Sequence, residues 1–472
     1  MGAWVKKKLT VAWLFDDQAG ISYVRILRYF YPEFITSLII YFLPQFIDYY
    51  FICNLKSTDL YAISGIVENL LGVFTKCAEG LLIGTVIISG YFNGLKEHKK
   101  SGQAFVDAFW TTVCLSFFVS VALYFGVVSF YKFNNFSPEM IALGVPYLQI
   151  KAFGVFFLFF YFSLVGFFRS VKNTFTPMVV FGIGNIIFVL CDYLFIFGKF
   201  GFPKLGLLGS AVAYLIQYFS MSCLMFCYIM CAKEYKIYEI SLFSKRLDYE
   251  RIVRFLVISF PVVVDKVSIA FAYVWLGSCI SRLGSTAGAS FAMIKLMERI
   301  AFVPAIAFSQ IITFLVSNDL GNDKWNDIHA NIKKVVLLSS IMVGTILLIG
   351  SLFPYIIVRF YGCTQEICYL VAAVFPSLSI LVMFDLLQLI LSGALRGAGD
   401  VQTVMITRLI VIICYFIPMS YGIAMLPLQT VASKMLVTYA VFLIGNGLMT
   451  IVYLIRLNQN HWKKKNIKVI ND

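Results

Sequence analysis

The chain has 472 residues, of which 60% are hydrophobic and 13% are charged, and its formal net charge is +14. A water-soluble domain averages about 25% charged residues, so this composition excludes a soluble enzyme, a disulfide-stapled secreted protein, a coiled coil and a disordered regulator. The positive charge would suggest nucleic acid in a soluble protein, but Lys and Arg stand mostly at the ends of apolar stretches, and we expect no nucleic-acid partner.

Twelve apolar runs are long enough to cross a bilayer, whose hydrocarbon core of about 30 Å needs about 20 residues of helix. We predict that all twelve are helices, because lipid offers no hydrogen-bond partner to free backbone groups. They lie near residues 31–53, 62–92, 104–131, 140–167, 174–198, 207–231, 253–280, 287–317, 335–358, 367–394, 401–425 and 430–456.

The charges of the connecting loops predict the orientation. With the N-terminus inside, the termini and the loops on that side carry 23 Lys and Arg, whereas the loops on the other side carry six. Cytoplasmic loops are enriched in Lys and Arg. Both termini are therefore expected in the cytoplasm, and we expect a multi-pass protein of a bacterial plasma membrane.

A polar connector in the middle of the chain predicts two halves of six helices each. We predict the following divisions: a cytoplasmic N-terminal segment (1–30), an N-lobe with helices 1–6 (31–231), a cytoplasmic linker (232–252), a C-lobe with helices 7–12 (253–456) and a cytoplasmic tail (457–472).

The two halves also repeat in sequence. GFFRSVKNTFTPM, from Gly166, aligns with GALRGAGDVQTVM, from Gly393, at an offset of 227 residues. LKSTDLYA, from Leu55, aligns with LGSTAGAS, from Leu283, at nearly the same offset, which also places Thr85 on Thr313. An offset of six helices makes both halves cross the membrane in the same sense, as in some secondary transporters. The predicted fold is an all-α membrane protein with two pseudo-symmetric six-helix bundles around a central cavity.

Three stretches carry a family resemblance. They are QFIDYYFICNL in helix 1, GNIIFVLCDYLFIFG followed by GFPKLGLLGSAVAY in helices 5 and 6, and FDLLQLILSGALRGAGD in helix 10. In these stretches the chain resembles the multidrug and toxin extrusion (MATE) family of cation-coupled antiporters, over roughly residues 25–456. The resemblance implies two bundles arranged in a V, a central cavity, and export of organic cations driven by Na⁺ or H⁺.

The resemblance also implies roles for particular residues. Asp48 matches the first-helix carboxylate implicated in ion coupling, and Asp192 matches the fifth-helix carboxylate of the N-lobe ion site. Asp385 matches a tenth-helix carboxylate of the sodium-coupled branch, and Ser210 stands where the family often has a small or hydroxyl residue near Asp192.

Two departures from the family pattern leave the coupling ion open between H⁺ and Na⁺. The family frequently has Asn four residues before the fifth-helix Asp, but Phe188 stands there and Asn185 lies seven residues before. The seventh-helix Glu of the sodium branch has no match, and Asp265 is the nearest acid. No cofactor is expected, and the one metal that the resemblance implies is a Na⁺ at Asp48 or Asp192.

Elementary electrostatics supports the same acids independently of the family. An ionised carboxylate near the bilayer centre costs about 2.5–3.5 kcal/mol, so Asp48, Asp192 and Asp385 should face protein or water and not lipid. Neutralising such a group with H⁺ or Na⁺ changes which helix packing is favoured. Negative charge together with aromatic faces also suits a cationic cargo.

Other charges within the predicted helices have structural interpretations. Lys76 and Glu79, and likewise Lys295 and Glu298, are spaced i,i+3, which favours pairing. Two more acids are candidates for charges in the cavity: Asp265 and Glu68. Three residues are expected to hold the repeated loops at the cytoplasmic edge: Arg169, Arg396 and Asp400.

The sequence therefore predicts a monomeric secondary active transporter, not an enzyme, that exports small organic cations or drugs by antiport and works by alternating access between two lobes. One alternative is a flippase for lipid-linked oligosaccharides or other lipids, whose cavity should be basic and lined by Lys76, Lys151 and Lys266. A second alternative is a membrane-embedded enzyme or scaffold. The sequence contains no HExxH or GxxxxGK[ST] motif.

Overall fold

The computed structural model describes residues 19–459 except 56, 134–135, 243–247 and 428–429. Most of the predicted N-terminal segment, part of the linker and nearly all of the tail lie outside the described residues. The helices are α1 (Tyr23–Cys53), α2 (Thr58–Gly94), α3 (His98–Phe133), α4 (Pro138–Ser170), α5 (Phe175–Phe197), α6 (Leu207–Cys231), α7 (Tyr249–Ser281), α8 (Ser285–Gly321), α9 (Trp325–Leu352), α10 (Gln365–Gly397), α11 (Val401–Ile410, continued by the π-helical stretch Val411–Phe416 and by Ile417–Ala424) and α12 (Val431–Asn458). Two short helices, Lys233–Tyr238 and Pro354–Phe360, lie between them.

The prediction of an all-helical membrane protein is confirmed. Eleven helices among the described residues, α2 to α12, are long and apolar enough to cross a membrane. The remaining long helix, α1, has 31 residues, and several of its side chains are not described. Most observed helices extend a few residues beyond the predicted apolar runs.

Local sequence signals set several of the helix ends. Ser137 caps α4, since its side chain accepts a hydrogen bond from the backbone N–H of Met140, and Pro138 occupies the first helical position, where its missing N–H costs nothing. The side chain of Thr430 caps α12 through the N–H of Ser433. α5 ends at Gly198, which adopts a left-handed conformation with φ of 66° that glycine tolerates best.

The helices pack into two compact units. Unit 1 contains residues 1–34 and 264–472, and unit 2 contains residues 35–263. The division falls within α1 and within α7. By packing, the first turns of α1 belong with the second half of the chain, and the first half of α7 belongs with the first half of the chain. The division into lobes by chain order stays a prediction.

Each unit contains a close helix crossing at one of the aligned glycines. In unit 2, a Cβ on Gly166 of α4 would lie 3.0 Å from the carbonyl oxygen of Leu82 and 3.0 Å from the Cβ of Thr85 on α2. In unit 1, a Cβ on Gly393 of α10 would lie 2.8 Å from the carbonyl oxygen of Ser309 on α8, and the hydroxyl of Thr313 donates to the carbonyl of Gly393 at 3.0 Å. The aligned glycines and threonines therefore make equivalent contacts.

Polar contacts also fix the chain where α7 and α1 begin. In unit 2, the Asp107 carboxylate of α3 pairs with Arg251 of α7 and accepts from the backbone N–H of Asp248 at 3.5 Å. In unit 1, the Lys334 ammonium of α9 donates to the carbonyls of Ala19 at 2.9 Å and Ile21 at 3.1 Å. Asp107 and Lys334 lie 227 residues apart and so occupy equivalent positions of the repeat. An acid holds the start of α7 in unit 2, and a base holds the start of α1 in unit 1.

Candidate ion-coupling site

Unit 2 holds a cluster of four charged side chains, contributed by four helices. Asp48 of α1, Glu68 of α2, Lys151 of α4 and Asp192 of α5 lie close enough to interact electrostatically. The Lys151 ammonium pairs with Glu68. Ser210 of α6 is buried beside Asp48, without the geometry of a hydrogen bond. The structure therefore brings together four of the predicted site residues, with Lys151 as the shared cation.

The two aspartates of this cluster lack partners that would match their charge. Asp192 is 0% exposed, and neither of its carboxylate oxygens has a hydrogen-bond partner within the described part of the chain. Asp48 is also buried, and its Oδ1 is without a partner among the same residues. Since Lys151 is bonded to Glu68, three acids share one base. An uncompensated charge in a low-dielectric interior is strongly unfavourable, so a bound cation would stabilise this pair.

Asn185 lies on α5, seven residues before Asp192, and is engaged elsewhere. Its amide donates to the carbonyl of Phe181 at 2.8 Å, and its side-chain oxygen accepts from Gln217 of α6 at 3.4 Å. These contacts join α5 to α6 and so position the helix that carries Asp192. The sequence prediction did not single out Gln217, although a buried amide within an apolar helix needs a partner.

Unit 1 holds Asp265 in an ion triad. Its carboxylate receives the Nη2 of Arg396 at 2.6 Å and the Nε of Arg408, and it is 1% exposed. Two arginines therefore pair with Asp265 inside the protein, and the expectation of a cavity charge at Asp265 stays a prediction. The side chain of Arg396 is buried with Asp265, and its expected role in holding a repeated loop at the cytoplasmic edge stays a prediction.

The sequence prediction missed Arg408. It is the basic residue within the apolar run of α11, and such a residue requires a partner in the membrane. That signal was sufficient to mark it.

Asp385 belongs to unit 1 and is not part of the Asp48–Asp192 cluster. It is half-buried, and its Oδ2 accepts a hydrogen bond from the Tyr273 hydroxyl of α7 at 3.0 Å. The nearby Lys295 of α8 acts on it electrostatically. The family resemblance grouped Asp385 with Asp48 and Asp192, but the structure places it among a different set of side chains.

Other predicted pairs occur as the spacing indicated. Lys76 and Glu79 lie 2.8 Å apart, and Lys295 and Glu298 lie 2.7 Å apart; the expected i,i+3 pairing is confirmed. At the start of α11, Asp400 accepts from the Thr403 hydroxyl at 2.7 Å and pairs with Arg456 at 2.6 Å. Arg169 is buried near the end of α4.

A candidate cation site in unit 2 has few ligands. In the part of the chain that the structure describes, no group of three or more His, Cys, Asp or Glu side chains could hold a metal ion. The buried hydroxyl of Tyr147, which interacts with Asp48, has no hydrogen-bond partner among the described residues. The other oxygens of the cluster without such a partner are Oδ1 of Asp48, both carboxylate oxygens of Asp192 and the hydroxyl of Ser210. These oxygens can accept a proton shared between acids or contact a small hard cation.

Helices long enough to cross a membrane surround buried acids whose oxygens lack hydrogen-bond partners among the described residues. These two features together are typical of one class of protein, the polytopic α-helical transporters. Comparison with known families is more specific. The sequence model of the MatE family matches residues 34–194 and 261–422, and the chain belongs to this family. Its members are membrane transporters and not enzymes. The two matches begin 227 residues apart, at 34 and 261, which confirms the predicted internal repeat.

Individual relatives and solved structures agree with the family. The chain is 24% identical over 402 residues to a Bacillus cereus protein named "Probable multidrug resistance protein NorM", covering 84% of this chain and 87% of that protein. It is 26% identical over 320 residues to a protein of the same name from Thermotoga maritima, covering 66% and 68%. A crystal structure of MATE in the bent conformation superposes with a TM-score of 0.83 at 17% identity, covering 94% of this chain and 96% of that one. The predicted twelve-helix fold is thereby confirmed.

Proposed function

We propose that this protein is a secondary active transporter that exports organic cations or drugs by antiport with H⁺ or Na⁺, through alternating access between two lobes. The observation that carries the proposal is the buried pair of Asp48 and Asp192. Both carboxylate oxygens of Asp192 and Oδ1 of Asp48 lack hydrogen-bond partners within the described residues, and the one lysine of the cluster is bonded to Glu68.

Coupling follows from the electrostatics of this pair. Two acids that are buried side by side repel each other and are destabilising unless a cation neutralises them. A proton or Na⁺ therefore stabilises the conformation in which the pair is buried, and loss of that cation favours the one in which water reaches it. A ligand shifts such an equilibrium only by the difference between its affinities for the two states. That difference is large here, because a cation neutralises Asp48 and Asp192 in the state where they are buried.

The cargo class is supported by charge and by the relatives. The unit 2 cluster has three acids to one base, which favours a positively charged cargo over an anionic one. Relatives named as multidrug resistance proteins point to drug-like molecules. The lipid flippase is less well supported, because Lys76 and Lys151 are each paired with a glutamate and so offer little positive charge to phosphates.

We further propose that both termini are cytoplasmic and that the protein resides in a bacterial plasma membrane. The excess of Lys and Arg on one side of the chain supports this orientation, and the relatives above are bacterial. Alkaline phosphatase fused after Asn458 should be inactive in bacterial cells, whereas the same reporter in the 199–206 loop should be active. The reverse pattern would overturn the orientation.

The test of function is uptake of ethidium into inverted membrane vesicles with the pH gradient and the Na⁺ gradient imposed separately. One gradient should drive uptake, and the other should not. Asp48→Asn and Asp385→Asn should abolish uptake at unchanged expression, while Asp59→Asn, an exposed aspartate of α2, should transport like the wild type. Uptake that neither gradient stimulates, or wild-type uptake in either single variant, would refute the proposal.

A further inference from the structure

A second set of side chains in unit 1 has the chemistry of a cation-binding cage. We call Tyr273, Lys295, Glu298, Asp385 and Tyr439 the Lys295 cage; they come from α7, α8, α10 and α12. The Lys295 ammonium lies 3.8 Å from the centroid of the Tyr273 ring and 5.6 Å from that of Tyr439. It is also 2.7 Å from Oε2 of Glu298. Aromatic faces combined with carboxylates are how proteins bind ammonium ions.

The cage is held in place by its own hydrogen bonds. The Tyr273 hydroxyl donates to Asp385 at 3.0 Å, and the Tyr439 hydroxyl donates to Oε2 of Glu298. Both ring faces are thereby fixed around the position of the ammonium. Oε1 of Glu298 is buried and without a hydrogen-bond partner within the described chain. Two acids therefore surround the Lys295 ammonium, and Arg408 acts electrostatically on one of them, Asp385.

A similar arrangement in unit 2 shows what distinguishes the Lys295 cage. There the Lys151 ammonium lies 4.7 Å from the Tyr147 ring centroid and 5.2 Å from that of Tyr214, and pairs with Glu68. The Lys151 side chain is 1% exposed, whereas that of Lys295 is 25% exposed. Lys151 is sealed in its cage, whereas a quarter of the Lys295 side chain is accessible from outside the protein.

We propose that the Lys295 cage is a binding site for organic ammonium ions, and that Lys295 is a tethered competitor which the incoming ion displaces. A released lysine regains the hydration of its ammonium and the rotamer freedom of its side chain. An alkylammonium or quaternary ammonium ion takes its place between the rings and beside Glu298. In this arrangement the lysine sets the affinity threshold that a cation must exceed.

The inference names a cargo class and so rests on the proposed function, but the binding step is measured without any gradient. The probe is radiolabelled n-butylammonium, which resembles the end of a lysine side chain, in equilibrium dialysis against the purified protein in detergent. Lys295→Met removes the competitor and retains the shape of its chain. We expect it to bind n-butylammonium about tenfold more tightly than the wild type, since a cation–π contact and an ion pair become available to the ligand.

Three further variants make the result specific. Lys295→Arg keeps a tethered cation and should bind like the wild type. Lys324→Met removes an exposed lysine of the same unit and should also bind like the wild type. In Lys295→Met combined with Tyr273→Leu, the gain should disappear. If Lys295→Met fails to fold, Lys295→Gln replaces it, with the same expectation.

Equal binding by Lys295→Met and the wild type would overturn the inference, as would a gain that survives Tyr273→Leu. The two proposals can fail separately. If Lys295→Met gains binding but ethidium uptake responds to neither ion gradient, the cage is supported and ion-coupled export is rejected. Ion-driven uptake without any gain in binding would do the opposite.

Discussion

Two fully buried aspartates should respond in opposite ways to the same substitution. Asp192 is 0% exposed and lacks partners among the described residues, whereas Asp265 is 1% exposed and binds two arginines. Asparagine has nearly the shape of aspartate without its charge. At position 265 it leaves two buried guanidinium groups without a counter-charge, and breaking such a buried ion pair costs about 3–5 kcal/mol.

At position 192 the same change removes a charge that has no hydrogen-bond partner among the described residues and shares Lys151 with two other acids. Asp192→Asn should therefore change stability by less than about 1 kcal/mol or increase it. Domains of 150–250 residues shift in Tm by about 2–4 °C per kcal/mol, so Asp265→Asn should melt about 6–20 °C lower than the wild type. Asp192→Asn should melt within a few degrees of the wild type or above it.

The assay is thermal unfolding of the two purified variants in one detergent, followed by tryptophan fluorescence, together with ethidium uptake in vesicles. Asp192→Asn should be stable and inactive in transport. An Asp192→Asn protein that melts as low as Asp265→Asn would refute the reasoning, because it would show that Asp192 has a stabilising partner and a structural role.

The repeat glycines and the anchor of α7 yield two further predictions. Gly393→Val should lower the Tm through overpacking of about 1–3 kcal/mol, because its Cβ would lie 2.8 Å from the Ser309 carbonyl oxygen. Gly344→Ala should keep the wild-type Tm, because no neighbouring heavy atom lies within 4 Å of its Cβ. An equal loss of Tm in both variants would contradict the packing argument. Asp107→Ala removes one of the two carboxylates that pair with Arg251 and should speed tryptic cleavage after Arg251, detected by mass spectrometry. Asp59→Ala should leave the cleavage rate unchanged. An unaltered rate in Asp107→Ala would show that this ion pair does not hold the start of α7.

The positions of the helices could be predicted closely from sequence, since the hydrocarbon thickness imposes a minimum apolar length. The run near 207–231 coincides with α6 (Leu207–Cys231), whereas the run near 287–317 is shorter than α8 (Ser285–Gly321). Apolar composition marks only the part of a helix within lipid. The polar turns beyond it continue the helix without any hydropathy signal.

The candidate site was predictable in its acids but not in its pairings. Asp48 and Asp192 were evident as charges in apolar helices, yet their proximity depends on how α1 and α5 pack, which periodicity does not specify. The sequence also does not show which acid pairs with which base. Lys151 was ambiguous in sequence, and only the fold shows that it forms its ion pair with Glu68 and not with either aspartate.

The central claim is that a cation neutralises the Asp48–Asp192 pair and moves in exchange for cargo. The most direct measurement is ion flux from proteoliposomes when a tetraphenylphosphonium gradient is imposed with no ion gradient, followed by an internal pH dye and by ²²Na⁺. Our account predicts that H⁺ or Na⁺ moves against the direction of the organic cation, and that Asp192→Asn abolishes this flux. Organic-cation transport with neither ion moving, or undiminished ion flux in Asp192→Asn, would contradict it.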